Sequence, residues 1–287
     1  MASLRDKFLY GASGCHPNPD GGAAPKPERP RGTLLRPFFR NFGAMVQYNL
    51  VSLLFFLPGI AWTGVNLILL DGQFSGAGSF PQMVEAAFPV LSTWLAVMIP
   101  LWGLADVGAC GVAGVFRRIL EGRRISHWRD FSRAVRDNGL AAFVFGVLRG
   151  ALWWMLLAAE RFYTVLAEGG APMFRAMQLL GIVVLLFVLS VEALLIPALQ
   201  GSCGKWMDAL RAAVNHAVWH MPVCLSALAL TVVLPGLVAL IPTVGALLWG
   251  MYELVCGLSA RQYAFTAIAA LLGVGGACDA DEDEDDV

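Results

Sequence analysis

Three ionisable residues stand inside long apolar runs: Asp106, Arg149 and Glu192. A charge in the middle of a bilayer costs a few kcal/mol unless it is paired or wet, so each needs a reason to be there. Asp106 lies 11 residues before Arg117, Arg149 lies 11 after Asn138, and Glu192 lies 13 before Lys205. At 1.5 Å per helical residue, all three reach a depth of roughly 16–20 Å from the basic ends of their segments. The spacing therefore predicts one buried Asp106–Arg149–Glu192 cluster. Such a cluster is either an ion network that locks helices together or a polar site on a solute path. Locking is the preferred reading, because buried pairs more often specify packing. The bland alternative for Arg149 is to snorkel toward an interface. Glu253, about two turns from its helix end, is a fourth candidate member.

Other constellations carry less chemistry. His216 and His220 have the i, i+4 spacing that puts two imidazoles on one metal. No third ligand is fixed nearby and no Glu follows His216, so they read as interfacial histidines. Gly201-Ser-Cys-Gly-Lys205 imitates a phosphate loop but lacks its four-residue gap, and Trp206 stands where Ser or Thr is needed. The six cysteines (15, 110, 203, 224, 256 and 278) have no metal or redox spacing and read as small buried hydrophobes. With no nucleophile elbow, nicotinamide fingerprint or paired carboxylates, the expectation is a non-enzyme with no catalytic residue, metal or cofactor.

The elements that must position these charges follow from composition. The chain is 57% hydrophobic and 14% charged, with a mean hydropathy of +0.65. A soluble domain has about 25% charged residues, so the fold class is an all-α, polytopic membrane helix bundle. Apolar segments predict about six transmembrane helices at 43–70, 88–116, 139–159, 176–199, 222–241 and 246–260, in three hairpins. Pro58-Gly59 interrupts the first, which a bilayer tolerates when neighbours cover the freed carbonyl. Ala105, Gly108, Ala109, Gly111, Ala113 and Gly114 give the second a smooth face, and Gly146-Val-Leu-Arg-Gly150 is a small-x3-small pair around an arginine. Residues 1–32 read as a disordered cytoplasmic segment with a basic linker at 25–31, 33–277 as the membrane domain and 278–287 as a disordered acidic tail. Arg261 is expected to stop the last span, with 262–277 as an interfacial or packed extension.

Charge orients the bundle. Seven arginines, Arg117, Arg118, Arg123, Arg124, Arg129, Arg133 and Arg136, lie in one connection between two spans. On this layout 17 of the 20 Lys and Arg fall on the same side, which the positive-inside rule makes cytoplasmic, along with both termini. The implied location is a bacterial plasma membrane. The tail holds seven of the 21 acids, leaving +6 before residue 279, and the partners implied are lipid and anionic headgroups, not nucleic acid. Ser126 is a candidate N-cap; beyond it Trp128, Phe131 and Val135 form one stripe and Arg129, Arg133 and Arg136 another. That pattern predicts a helix in the headgroup plane. Trp128-x-Asp-x-x-Arg133-Ala recurs as Trp206-x-Asp-x-x-Arg211-Ala, so each hairpin carries a cytoplasmic interfacial helix before it. Arg36-Pro-Phe-Phe-Arg-Asn41 holds the same place before the first.

Two pieces resemble the YesL-like family of uncharacterised bacterial membrane proteins. One is Asn49-Leu-Val-Ser-Leu-Leu-Phe-Phe-Leu-Pro-Gly-Ile-Ala-Trp-Thr-Gly64. The other is Ala113-Gly-Val-Phe-Arg-Arg with Asp130-Phe-Ser-Arg-Ala-Val-Arg-Asp-Asn138. The resemblance extends more weakly over 36–262, and departs in the longer 65–88 connection and the acidic tail. It implies a multi-pass plasma-membrane protein without established chemistry, accessory to carbohydrate or solute uptake beside a membrane transport partner. The alternative expectation is a small-solute transporter built on the buried charges.

Overall fold

The structure is a computed structural model that describes residues 39, 41–76, 78–121, 126–168, 172–202, 205–238, 241 and 244–274. The expected 1–32 and 278–287 segments lie outside them. The helices are α1 (Phe42–Ser75), α2 (Phe80–Leu120), α3 (His127–Glu168), α4 (Pro172–Gly201) and α5 (Trp206–Leu228). A π-helical turn, Ala229–Val233, leads into the short α6 (Leu234–Val238). After it α7 (Gly245–Tyr252), a second π turn (Glu253–Gly257) and α8 (Leu258–Leu272) form one continuous run. Six stretches are long and apolar enough to cross a membrane, and no strand occurs among the described residues. The protein is an all-α, polytopic membrane bundle.

The helices outrun the apolar segments that mark them. α3 has 42 residues, about 63 Å, against a hydrocarbon core of roughly 30 Å. The helix expected in the headgroup plane is instead the first three turns of α3, collinear with the third span. Packing is the reason: Phe131 and Ala134 are buried against Gly111 and Gly114 of α2, which holds these turns along the bundle. α5 behaves differently. It kinks at His220 (φ −123°, ψ 22°), two residues before Pro222, whose ring and missing N–H disfavour a regular turn.

Arg261 does not end the last helix. α8 continues to Leu272 and closes on Gly273 in the left-handed conformation (φ 73°), with Val274 N–H donating to the Ala269 carbonyl at 2.8 Å. Tyr263, Phe265 and Ala269 are buried, so the extension after 261 is a packed element. It meets α1 through Ser259 and Met45 and α2 through Tyr263 and Phe116, whose ring centroids are 5.7 Å apart. Further on, Phe265 and Ala269 join the cluster of Leu199 (α4) and Ala209 (α5). α8 thus straps the Arg-rich end of the bundle.

The most extensive packing joins α2 to α3, the two helices flanking the arginine connection, more than either hairpin partner. Small residues explain it. A Cβ on Gly146 would lie 2.6 Å from the Trp102 carbonyl oxygen and 2.7 Å from the Gly103 Cα; one on Gly150 would lie 2.8 Å from the Ile99 Cα. The two backbones touch, as they do where lipid supplies no hydrophobic drive and packing must carry association. Gly146→Leu should therefore separate α2 from α3 and lower the melting temperature of the detergent-purified protein by several degrees. Gly64→Ala, with nothing within 4 Å of the added Cβ, should leave it unchanged.

Candidate functional site: a buried ion pair between α2 and α3

α2 and α3 run antiparallel, and three ion pairs cross between them. Arg118 meets Asp130 at 3.1 Å, Arg149 meets Asp106 at 2.8 Å, and Arg161 meets Glu85 at 3.8 Å. Glu85 and Arg118 are 33 residues apart, about 50 Å along α2, so the outer two pairs fall at opposite membrane surfaces. Asp106 sits 12 residues, about 18 Å, from Arg118, which puts the middle pair within the hydrocarbon and nearer the Arg-rich side. The end pairs differ in kind: the Asp130 side chain is 2% exposed, whereas that of Glu85 is 72% exposed and contributes little.

Asp106 is buried, and Arg149 donates to its Oδ1 while its guanidinium stands 5.8 Å over the Trp102 ring. Arg149 therefore does not snorkel; its charge is met inside the bundle by a carboxylate and an aromatic face. Glu192 lies on α4 within electrostatic range of both, but its direct partner is Trp153, whose indole N–H donates to Oε1 at 2.8 Å. The predicted triad is thus a tight Asp106–Arg149 pair with Glu192 beside it, held by a neutral donor one turn along α3. Glu253 is not a member. It pairs with Arg261 at 3.4 Å, across the second π turn.

The basic residues divide by role. Arg117 donates to the Gln200 carbonyl at the end of α4 and pairs with Glu121 at 2.8 Å, so it caps a neighbouring helix rather than facing lipid. Arg118 holds Asp130, whose other oxygen accepts the Ser126 N–H at 2.8 Å at the start of α3. Arg129, Arg133 and Arg136 are exposed along one face of α3. Trp128 is 71% exposed and stacks on Phe131; the predicted stripe is split, with Phe131 turned inward. Arg123 and Arg124 lie outside the described residues. Trp206 is half-exposed at the start of α5, edge-on to Phe145 of α3, and Arg211 approaches Asp208 at 3.8 Å on the surface. The two copies of the Trp-x-Asp motif each open a helix, but only Asp130 is buried in an ion pair.

His216 and His220 stack with centroids 6.2 Å apart, and His216 Nδ1 lies 2.8 Å from the Ala212 carbonyl. Among the described residues no three His, Cys, Asp or Glu side chains converge as metal ligands would.

Two polar contacts lay beyond sequence reasoning. Gln200 donates to the carbonyl and the Sγ of Cys110, at 3.0 and 2.8 Å, tying α4 to α2. Asn49 of α1 is fully buried and binds the second π turn. The available signal was the presence of Asn49 and Asn66, amides without a capping role, in a mostly apolar span.

No family model, curated protein or solved structure matches the chain.

Arg149→Met leaves Asp106 buried without its partner and should destabilise the bundle by about 3 kcal/mol. Adding Asp106→Leu should restore much of that loss, while Glu192→Gln, which keeps an oxygen for Trp153, should cost about 1 kcal/mol or less. Unfolding midpoints in mixed micelles, compared across the double-mutant cycle, check the order.

Proposed function

We propose that this is a non-catalytic integral protein of the bacterial plasma membrane, of the YesL-like type and accessory to solute or carbohydrate uptake through a transport partner. The Arg-rich end and both ends of the chain are in the cytoplasm, where the exposed Arg129, Arg133 and Arg136 face anionic headgroups. The observation carrying this reading is the closed Asp106–Arg149 pair at 2.8 Å. A buried carboxylate already met by a guanidinium, which is itself covered by the Trp102 ring, serves to hold α2 on α3. It is not poised to exchange a solute. Sequence asymmetry supports the orientation, since few Lys or Arg lie in the connections on the other side.

A second reading, a small-solute transporter, is favoured by one feature. The last two spans are both interrupted by π turns, and Tyr252, just before the second turn, donates its OH to the Thr231 carbonyl of the first at 3.4 Å. Paired interruptions of this kind accompany binding sites in transporters.

Two measurements decide. A fluorescent-protein fusion after Glu121 should glow and a phosphatase fusion there should stay silent; the reverse pattern ends the cytoplasmic assignment. Proteoliposomes holding the purified protein alone should show no sugar flux. A flux abolished by both Asp106→Asn and Glu192→Gln, in variants that remain folded, would replace the first reading with the second.

A further inference from the structure

The segment from Ala229 to Gly257 differs from the rest of the bundle. Each of its two legs contains a π turn, Ala229–Val233 on one and Glu253–Gly257 on the other. A π turn adds a residue to the helix and misaligns the carbonyls and N–H groups around it. In the second turn one side chain takes up the misaligned groups. Asn49 of α1 donates both Nδ2 hydrogens, to the Glu253 carbonyl at 2.8 Å and the Leu254 carbonyl at 2.7 Å. Its Oδ1 accepts the Ser259 N–H at 3.0 Å, a donor that an unbroken α-helix would direct to residue 255. The Ser259 hydroxyl adds a bond to the Met45 carbonyl at 2.8 Å. Every donor of the Asn49 amide is used, and the residue is 0% exposed. In the first turn, Thr231 Oγ1 bonds back to the Ala227 carbonyl, a contact that bends helices, and Tyr252 reaches the Thr231 carbonyl across the gap.

Beyond this belt the segment packs mainly on itself. Its substantial contact with α1 to α4 is that of the second π turn with α1, at the Asn49 level. Leu230, Leu234, Leu237, Leu247, Trp249 and Met251 are all exposed. α2 and α3, in contrast, are joined along their length by glycine contacts and ion pairs.

We propose that the two legs 229–238 and 244–257 form a hinged hairpin that swings as one body about its two π turns, with Asn49 as the latch that holds it to α1. Both legs are broken at one level, so a rotation there keeps the legs parallel and leaves α1 to α4 undisturbed. The latch is made of hydrogen bonds to backbone groups that the π turn exposes, so releasing it leaves those groups seeking the ordinary α-helical register. Opening therefore pairs a swing of the hairpin with a shift of the π turn along α8. The Glu253–Arg261 pair spans the same turn and moves with it. The inference does not depend on which side the arginines face or on whether a solute passes.

Double electron–electron resonance on the full chain, in nanodiscs and a cysteine-depleted background, tests it. One nitroxide pair reports the hairpin, at Val244→Cys and Leu180→Cys; a second reports the closely packed α2–α3 slab, at Val84→Cys and Phe162→Cys. All four positions are exposed. The unsubstituted latch should give one narrow distance for each pair. Asn49→Leu should add a hairpin population displaced by about 5 Å, one helical pitch, and leave the slab pair narrow. Ser259→Ala, which keeps the Asn49 amide, should give the same displaced population at a smaller fraction, and serves if Asn49→Leu does not fold. An unmoved hairpin distance in the folded variants overturns the proposal, and so does equal broadening of both pairs, which would mark general loosening.

Discussion

In a bilayer, apolar side chains gain nothing by leaving lipid for one another, so two helices stay together only by touching closely and matching polar groups. The contact between α2 and α3 meets both conditions, and the rest of the structure leans on it. Gly103, Gly146 and Gly150 bring backbone against backbone, and that closeness places Arg149 within 2.8 Å of Asp106. The pair in turn makes the register specific: one helical step of slip would leave a carboxylate in hydrocarbon without its cation. Arg118–Asp130 repeats the match at the surface, where Asp130 also stitches the first turn of α3. Around this pair of helices α1 packs Phe55 over Gly108, α4 attaches through Gln200, and α8 crosses beneath.

The remaining spans obey a different constraint. Membrane helices must satisfy every backbone group internally, so each irregularity has to find a partner. Around the second π turn the partner is a single buried amide, Asn49, and around the first it is a threonine hydroxyl and a tyrosine. The bundle therefore has a firm part, α1 to α5 with α8, and a hairpin latched to α1 through hydrogen bonds. Stability and mobility are distributed by the same chemistry: where glycines and charges match, the helices are fastened along their length, and where they do not, a few polar contacts suffice.

The arginines serve two purposes that composition merges into one. Arg117 and Arg118 are structural, one at the end of α4 and one on Asp130. Arg129, Arg133 and Arg136 project from α3 above its exposed apolar face at Leu140 and Val144. A helix that is basic for three turns and apolar below them suits a bilayer boundary near that change, which is where the spacing of the three ion pairs also puts it. The interfacial character read from this segment belongs to an upright helix, not to one lying flat.

Class, helix count and the presence of Asp106, Arg149 and Glu192 inside the spans were legible in the chain alone. Hydropathy and helical rise are local properties, and both act one residue at a time along a single axis. Small residues likewise marked α2 and α3 as helices able to approach closely. What only the tertiary structure decided was who meets whom. Depth says nothing of azimuth, so Glu192 could share a level with Arg149 and still turn to Trp153. Glu253 turned to Arg261 for the same reason. Helix ends escaped as well: polar and basic turns were read as a change of direction, whereas Phe131 on Gly111 and Phe265 in the α4–α5 cluster keep α3 upright and carry α8 past Arg261. Those contacts arise between segments far apart in the chain, and a pattern of residues along one segment holds no record of the surface it will face.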